Sequence, residues 1–410
     1  MMKILLATSK AIPSGGGIAS YNQELVALLS TDYEIELLTD SDEKEVSGYI
    51  KTYTTCGYKN NDVCYCENLI YRINSQNYDC IINSNSSFIP VLSPFLKCPI
   101  VSISHFVNGT LAINAGYNAE YLNCIVALSS YGKNFISRKF NINALSKIKV
   151  VYNFVKKNDY YNTTKPNREI LKIVYPGGTS IKKSVDVVQQ LVYRLLSSNL
   201  KFEFYWLGGD RLPSANLSIL GLKTTQSLFE KDPRLKIMGM VSRETAMDIL
   251  SDANIFLLPS RGEGCPMTLL EAMRGSCISI VSDAHHGSKE IIELSHAGII
   301  TKQDSSLSIF EAIRDIIMFP DKYAKMYNLS RNFIETSVSQ DVWGTEMNEI
   351  ITDSISKGKI YIKFSRSIFK KTSRRFRWLY KIERIKDMWS SAKYRFIIDA
   401  HYLKNKFGLY

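Results

Sequence analysis

Residues 251–298 read SDANIFLLPSRGEGCPMTLLEAMRGSCISIVSDAHHGSKEIIELSHAG. An apolar run at 255–258 stops at Pro259, and a polar, glycine-bearing loop follows, Ser260-Arg261-Gly262-Glu263-Gly264. A helix-like run carrying Glu271 comes next, then a second apolar run at 277–281. Strand, loop, helix, strand predicts one βαβ unit of a parallel sheet. Ligands of such sheets sit at the carboxyl ends of strands, beside helix N-termini. Glu263 falls in that place. Glu271 lies eight residues further on, just over two helical turns, so the two carboxylates can line one side of a bound ligand.

Outward from this unit the same alternation continues. Strands are predicted at 172–175, 202–207, 235–238, 255–258, 278–281 and 298–301, with helical patterns between them. An earlier set is predicted at 3–8, 33–38, 80–83, 100–104, 124–128 and 149–152. The polar stretch 159–168, DYYNTTKPNR, reads as a linker. The expected architecture is therefore two doubly wound α/β domains, 1–158 and 169–350, with a ligand cleft between them and a tail at 351–410. At 410 residues two cores are the prior. Between the first strand and the first helix (18–29) stands a loop ending in Gly15-Gly16-Gly17. Glycines there let backbone approach a phosphate or sugar, but the spacing is not the dinucleotide fingerprint.

Bulk properties narrow the class. A content of 45 % hydrophobic and 22 % charged residues is that of a globular protein. No apolar stretch approaches the ~18 residues that a bilayer span needs, and the first residues lack a signal-peptide cleavage pattern, so cytoplasmic residence is expected. The eight cysteines are scattered, several of them in apolar runs, and form no zinc pattern. Charge is uneven. Residues 357–410 hold sixteen Lys and Arg against three acids, a net +13, whereas the whole chain is +12. In this tail Trp378, Ile382, Ile385, Trp389, Ala392 and Phe396 recur at steps of four and three, on one helical face. Lys381, Arg384, Lys386, Lys393 and Arg395 lie around it. A basic amphipathic helix with aromatics predicts attachment to an anionic membrane surface; the alternatives are docking on its own domain and nucleic-acid binding.

The motifs resemble those of GT-B glycosyltransferases, specifically the retaining family 4 type. The likeness is densest over 231–292: the turn Gly239-Met240-Val241, then LLPS-x-x-EG, the second Glu of E-x7-E followed by Ala-Met, and G-S-K-E-I-I. Fainter echoes over 1–350 are the triple glycine, the strand-end His105, VALSSYGK, VVYNFV, and Lys183 at a helix start. The resemblance implies transfer of a sugar, with retention, from a nucleotide-sugar donor, expected to be UDP-linked. The acceptor it implies is a saccharide, expected to be lipid-linked, in surface-polysaccharide assembly. It places Glu263 and His105 at the reaction centre, Glu263 holding sugar hydroxyls, and Glu271 on the ribose. Met267 and Thr268, at a helix N-terminus, are expected to meet the diphosphate. Gly16, Gly17, Lys182, Lys183, Met240, Gly264 and Cys265 complete the expected donor-binding set. Two departures stand out. Pro266 removes one backbone donor, and Gly177 stands where the family has a phosphate-gripping arginine. The absence of a strand-end D-x-D agrees with an expectation of no metal and no cofactor beyond the nucleotide sugar. Rival readings are a nucleotide-sugar epimerase of the same fold, a non-catalytic transferase relative, and a nucleic-acid-binding protein, the last leaving the E-x7-E site unexplained; nucleic acid is not expected as a partner.

Overall fold

A computed structural model describes residues 1–9, 17–40, 49, 51–105, 109–155, 170–178, 180–208 and 232–407, with backbone alone from 390. Gly15, Gly16 and the linker 159–168 lie outside the described residues. The chain divides into two compact units, 1–156 with 340–387, and 157–339 with 388–410.

The first unit is a seven-stranded sheet. Its elements are β1 (Met2–Thr8), α1 (Gly17–Leu29), β2 (Tyr33–Thr39), β3 (Lys51–Thr54), α2 (Val63–Ser75), β4 (Cys80–Ser84), α3 (Ile89–Leu92), β5 (Ile100–Ser104), α4 (Gly109–Gly116), β6 (Cys124–Ala127), α5 (Ser130–Phe140) and β7 (Ile148–Val150). The order is β3-β2-β1-β4-β5-β6-β7, and every pairing is parallel. Parallel sheets are covered on both faces, so their strands read as continuous apolar runs; β5, IVSIS, is buried throughout. All carboxyl ends lie on one edge, and the strand order reverses between β1 and β4, the place where such sheets hold ligands.

The second unit contains β8 (Leu171–Tyr175), α6 (Val185–Leu196), β9 (Phe202–Leu207), β10 (Leu235–Gly239), α7 (Arg243–Asp252), β11 (Ile255–Leu258), α8 (Met267–Arg274), β12 (Ile278–Ser282), α9 (Gly287–Ser295), β13 (Gly298–Thr301), α10 (Ser306–Met318) and α11 (Pro320–Ser337). Its order is β10-β9-β8-β11-β12-β13, again parallel. Helix α6 shows how the core is built: Val185, Val188, Leu191, Val192 and Leu195 are buried at helical spacing against Phe202, Phe204 and Ile255.

The end of the chain departs from the expected boundaries. Helices α12 (Gln340–Lys357) and α13 (Arg366–Phe407) follow, and 340–387 belongs with the first unit, not with the second domain or a separate tail. Phe369 and Phe376 of α13 are fully buried in the first unit's core beside Phe95, Tyr117 and Ile136. Tyr117 donates to the Thr372 carbonyl at 2.7 Å, and Lys139 pairs with Glu383 at 2.8 Å. The docked stripe is Phe369, Ser373, Phe376 and Glu383. The predicted aromatic face is a different one: Trp378 is 63 % exposed, Ile385 and Trp389 are also exposed, and Ala392 and Phe396 lie beyond the described side chains. Own-domain docking and an outward aromatic face thus coexist on one helix.

Candidate functional site

In the second unit, β8 ends at Tyr175, and a single 3-10 turn, Ile181–Lys183, leads into α6. Ser184 between them is left-handed, φ +59°, a conformation that costs a non-glycine residue on the order of 1–2 kcal/mol. It is held there by its own hydroxyl, which donates to the Pro259 carbonyl at 2.6 Å. Tyr175 donates to the Lys183 carbonyl at 2.9 Å. The turn is thus tied to the end of β11, and the Lys183 ammonium pairs with the buried Glu263 carboxylate. Lys182 is exposed and contributes its carbonyl, which accepts from the Arg261 N–H at 2.9 Å.

Arg261 was not among the residues predicted from sequence. Its side chain is 6 % exposed. It is bidentate to Asp186 at 2.7 and 2.9 Å, meets Asp304 at 2.7 Å and donates to the Ile181 carbonyl at 2.7 Å. Its loss would leave buried Asp186 unpaired, at a cost of about 3–5 kcal/mol. Arg261 fixes the Lys183 turn against the Glu263 loop. No sequence pattern signals such a brace, because its partners are 75 and 43 positions away.

Glu263, Gly264 and Cys265 are all buried. A β-carbon on Gly287 would lie 1.6 Å from the Gly264 carbonyl oxygen, so α9 can start against this loop only from a glycine. The Gly287 N–H donates to the Glu263 carbonyl at 3.2 Å. Helix α8 starts at Met267 with Pro266 as an N-cap that offers no side-chain acceptor. The first N–H bonded back into the helix is that of Leu269, to the Pro266 carbonyl at 3.1 Å. Those of Met267 and Thr268 precede it, where the helix dipole is positive. Glu271, two turns along, is buried and ion-paired with Arg243 of α7 at 3.0 Å, another partner absent from the predicted set. Met240 is 72 % exposed after Gly239, whose φ is +62°.

Gly177 has a local reason. A β-carbon there would sit 2.2 Å from the ring of Tyr175, which is fully buried. An arginine at 177 is sterically incompatible with this tyrosine. His286 is 1 % exposed and braces the site. Its Nδ1 accepts from the Ser288 N–H at 3.2 Å, so its Nε2 carries the proton shared with the Ser260 carbonyl at 3.0 Å. Burial pushes its pKa down. His285 is exposed.

In the first unit a buried polar chain crosses the switch point. Asn22 donates to Thr8 at 3.0 Å, Ser84 donates to Asn22 at 2.5 Å, and Ser84 Oγ lies 2.8 Å from His105 Nε2. The Ser84 proton is committed to Asn22, so His105 Nε2 is the donor to Ser84. That tautomer leaves Nδ1 as an acceptor. Tyr21 packs edge-on against the imidazole at 4.9 Å, and burial pushes its pKa down to about 3. Gly17, at the start of α1, is exposed. Among the described residues no group of three His, Cys, Asp or Glu is arranged to hold a metal ion, and no helix is long and apolar enough to cross a membrane.

Comparison with known proteins agrees with this architecture. The chain is 25 % identical over 211 residues to the alpha-galactosylglucosyldiacylglycerol synthase of Streptococcus pneumoniae (strain ATCC BAA-255 / R6), covering 48 % of this chain and 54 % of that one. It is 26 % identical over 187 residues to the amylovoran biosynthesis glycosyltransferase AmsK of Erwinia amylovora, covering 44 % of each. The chain thus spans about half the length of the curated relatives it matches. Among solved structures, Anabaena Alr3699/HepE in complex with UDP superposes with a TM-score of 0.69 at 13 % identity, covering 86 % of this chain and all of that one. The lipopolysaccharide outer core galactosyltransferase WaaB gives 0.64 at 17 %, covering 86 % and 99 %. The fold is therefore that of GT-B proteins, two Rossmann-like α/β domains with a C-terminal helical segment. Residues 171–318, which hold Lys183, Glu263 and Glu271, match the family model described as Glycosyl transferases group 1.

Proposed function

We propose that the chain is a glycosyltransferase that moves a sugar from a UDP-linked donor to a saccharide acceptor, with retention of configuration, in glycolipid or surface-polysaccharide synthesis. The observation that carries this reading is the junction of Lys183 with Glu263 beside the start of α8, inside the segment similar to group 1 transferases. The S. pneumoniae relative is named for a glycosylated diacylglycerol, the E. amylovora relative for amylovoran, and the Anabaena neighbour was solved with UDP and with UDP-glucose.

The chemistry follows from the groups present. Cleavage of the bond between the sugar's anomeric carbon and the diphosphate sends negative charge onto the leaving phosphate. The Lys183 ammonium and the N–H groups of Met267 and Thr268 are suited to receive it, and fixed donors placed where charge develops lower the barrier. Glu263 then exchanges Lys183 for hydroxyls of the sugar, to which carboxylates bind strongly, and Glu271 holds the ribose. The acceptor hydroxyl bonds to the anomeric carbon on the face the phosphate leaves, and its proton passes to the departing phosphate oxygen. His105, neutral and with Nδ1 as acceptor, is assigned a hydroxyl of the transferring sugar. An anionic membrane surface is proposed as partner of the outward face of α13, with a lipid-linked acceptor.

Glu263→Gln tests the centre, because it keeps shape and removes charge. Donor turnover should fall by about two orders of magnitude. Wild-type turnover in that variant would move the site elsewhere.

A further inference from the structure

Away from the residues considered so far, the first unit carries a cavity of about 320 Å³ at the carboxyl ends of β2 and β3. Its walls are Asp40 after β2, the turn Thr55–Asn61 after β3, Ser87 and Phe88, and Arg377 from α13. Local chemistry makes these walls rigid. Gly57 is left-handed, φ +81°, and closes a turn in which the Tyr58 N–H donates to the Thr55 carbonyl at 3.1 Å. That turn lays Tyr58 flat on Tyr65, with ring centroids 3.7 Å apart and planes within 8°. Tyr65 is itself pinned, its hydroxyl donating to the Thr54 carbonyl at 3.2 Å and its ring meeting Phe88 edge-on at 6.0 Å. Tyr58 is 53 % exposed, so one face is supported and the other is open. Asn60 is fixed by its bond to the Ser87 carbonyl at 2.9 Å. Thr55 donates to Asp40 at 2.6 Å, and burial pushes the Asp40 carboxyl up.

An open aromatic face ringed by a carboxyl, amides, hydroxyls and a guanidinium is the lining that a sugar ring requires: C–H faces stack on the ring while hydroxyls find both donors and acceptors. We propose that this cavity is a subsite for a saccharide unit of the acceptor, distinct from the unit that reacts. The proposal rests on the glycosyltransferase reading, in which His105 marks the reaction centre. Neighbouring strands are about 4.8 Å apart, and β2 and β3 stand three and four strands from β5. The walls supplied by β2 and β3 therefore lie roughly 14–19 Å along the sheet edge from His105, with the Ser87–Phe88 wall after β4 nearer to it, so the cavity extends away from the reacting ring and suits a unit further along an oligosaccharide. Arg377 reaches the cavity because Phe369 and Phe376 dock α13 on this unit, so the C-terminal helix completes the subsite.

The test uses the full chain. Labelled wild type, Tyr58→Ala, Arg377→Gln and Glu263→Gln are applied to an array of bacterial surface oligosaccharides, with UDP binding measured in parallel. Tyr58 and Arg377 are both exposed, so each variant should fold, Arg377→Gln with the wild-type melting temperature and Tyr58→Ala with one lowered by a few degrees through loss of the stack on Tyr65. The expected result is retention of at least one oligosaccharide by wild type and Glu263→Gln, weakened about tenfold or more in Tyr58→Ala and Arg377→Gln, with UDP affinity unchanged in those two. UDP binding without oligosaccharide retention, or retention that survives both cavity substitutions, overturns the subsite. Retention that depends on Tyr58 without any UDP binding overturns the donor reading and leaves the saccharide subsite standing.

Discussion

His105 shows how much one residue's surroundings decide. Ordinary histidine titrates near 6.5, and here burial pushes the pKa down to about 3. Between those values the unfolded chain binds a proton that the folded chain does not, so the stability from burying neutral His105 is complete above about pH 6.5 and is lost as pH falls. The first unit should lose about 2 kcal/mol from this group between pH 7.5 and pH 5. Urea midpoints at the two values should show a smaller difference in His105→Asn; an unchanged difference would mean that His105 titrates normally. Glu263, Glu271 and Lys183 stood out in the sequence because their spacing and flanks form a motif. Arg261, Arg243 and His286 did not. A buried brace is defined by partners distant in the chain, and no local pattern records them.

At the scale of elements, strands with an apolar run were legible, whether buried throughout like β5 and β11 or partly exposed like β9 and the edge strand β13. The predicted bounds of β5, β9, β11 and β13 are the observed ones, since each is a short apolar run ended by a turn signal. Strand β3, KTYT, was missed. It lies at the sheet edge with only Tyr53 buried, so it carries no apolar run. The attachment of α13 was legible only in part, because the sequence offers two apolar stripes and the weaker one, Phe369 to Phe376, is the one that docks. Lys359, in the connection into α13, donates to the Ser93 and Leu96 carbonyls at 2.5 and 2.7 Å. Its stem is partly exposed, but its ammonium is enclosed, and burial pushes its pKa down to about 7. From there to the ordinary lysine value the unfolded chain holds the extra proton, so stability rises with pH across that window. The first unit's urea midpoint should therefore rise between pH 6.5 and pH 9, and Lys359→Met should flatten the rise. An equal rise in the variant would assign it to another group.

At the scale of the molecule, charge is divided as the sequence indicates, with the excess carried by the last 54 residues. The outward side of α13 pairs exposed Trp378 and Ile385 with exposed Lys381 and Arg384. At about 1 kcal/mol per basic residue near an anionic surface, the attachment proposed for this face is reversible. Cosedimentation with phosphatidylglycerol vesicles should fall several-fold in Trp378→Glu combined with Ile385→Glu, and binding equal to wild type would exclude this face. Removing the whole tail is not a clean test, because Phe369 and Phe376 belong to the first unit's core. The fold rests on alternation, which is a property of the whole sequence, while the proposed donor site rests on a few side chains that the fold brings together. Titration of UDP into the full chain examines that site most directly. Wild type should bind UDP, Glu263→Gln should bind it comparably, and Glu271→Gln should bind it about tenfold more weakly, the loss expected for one charged hydrogen bond to a ribose. No UDP binding by wild type, or equal affinity in Glu271→Gln, would contradict the donor site.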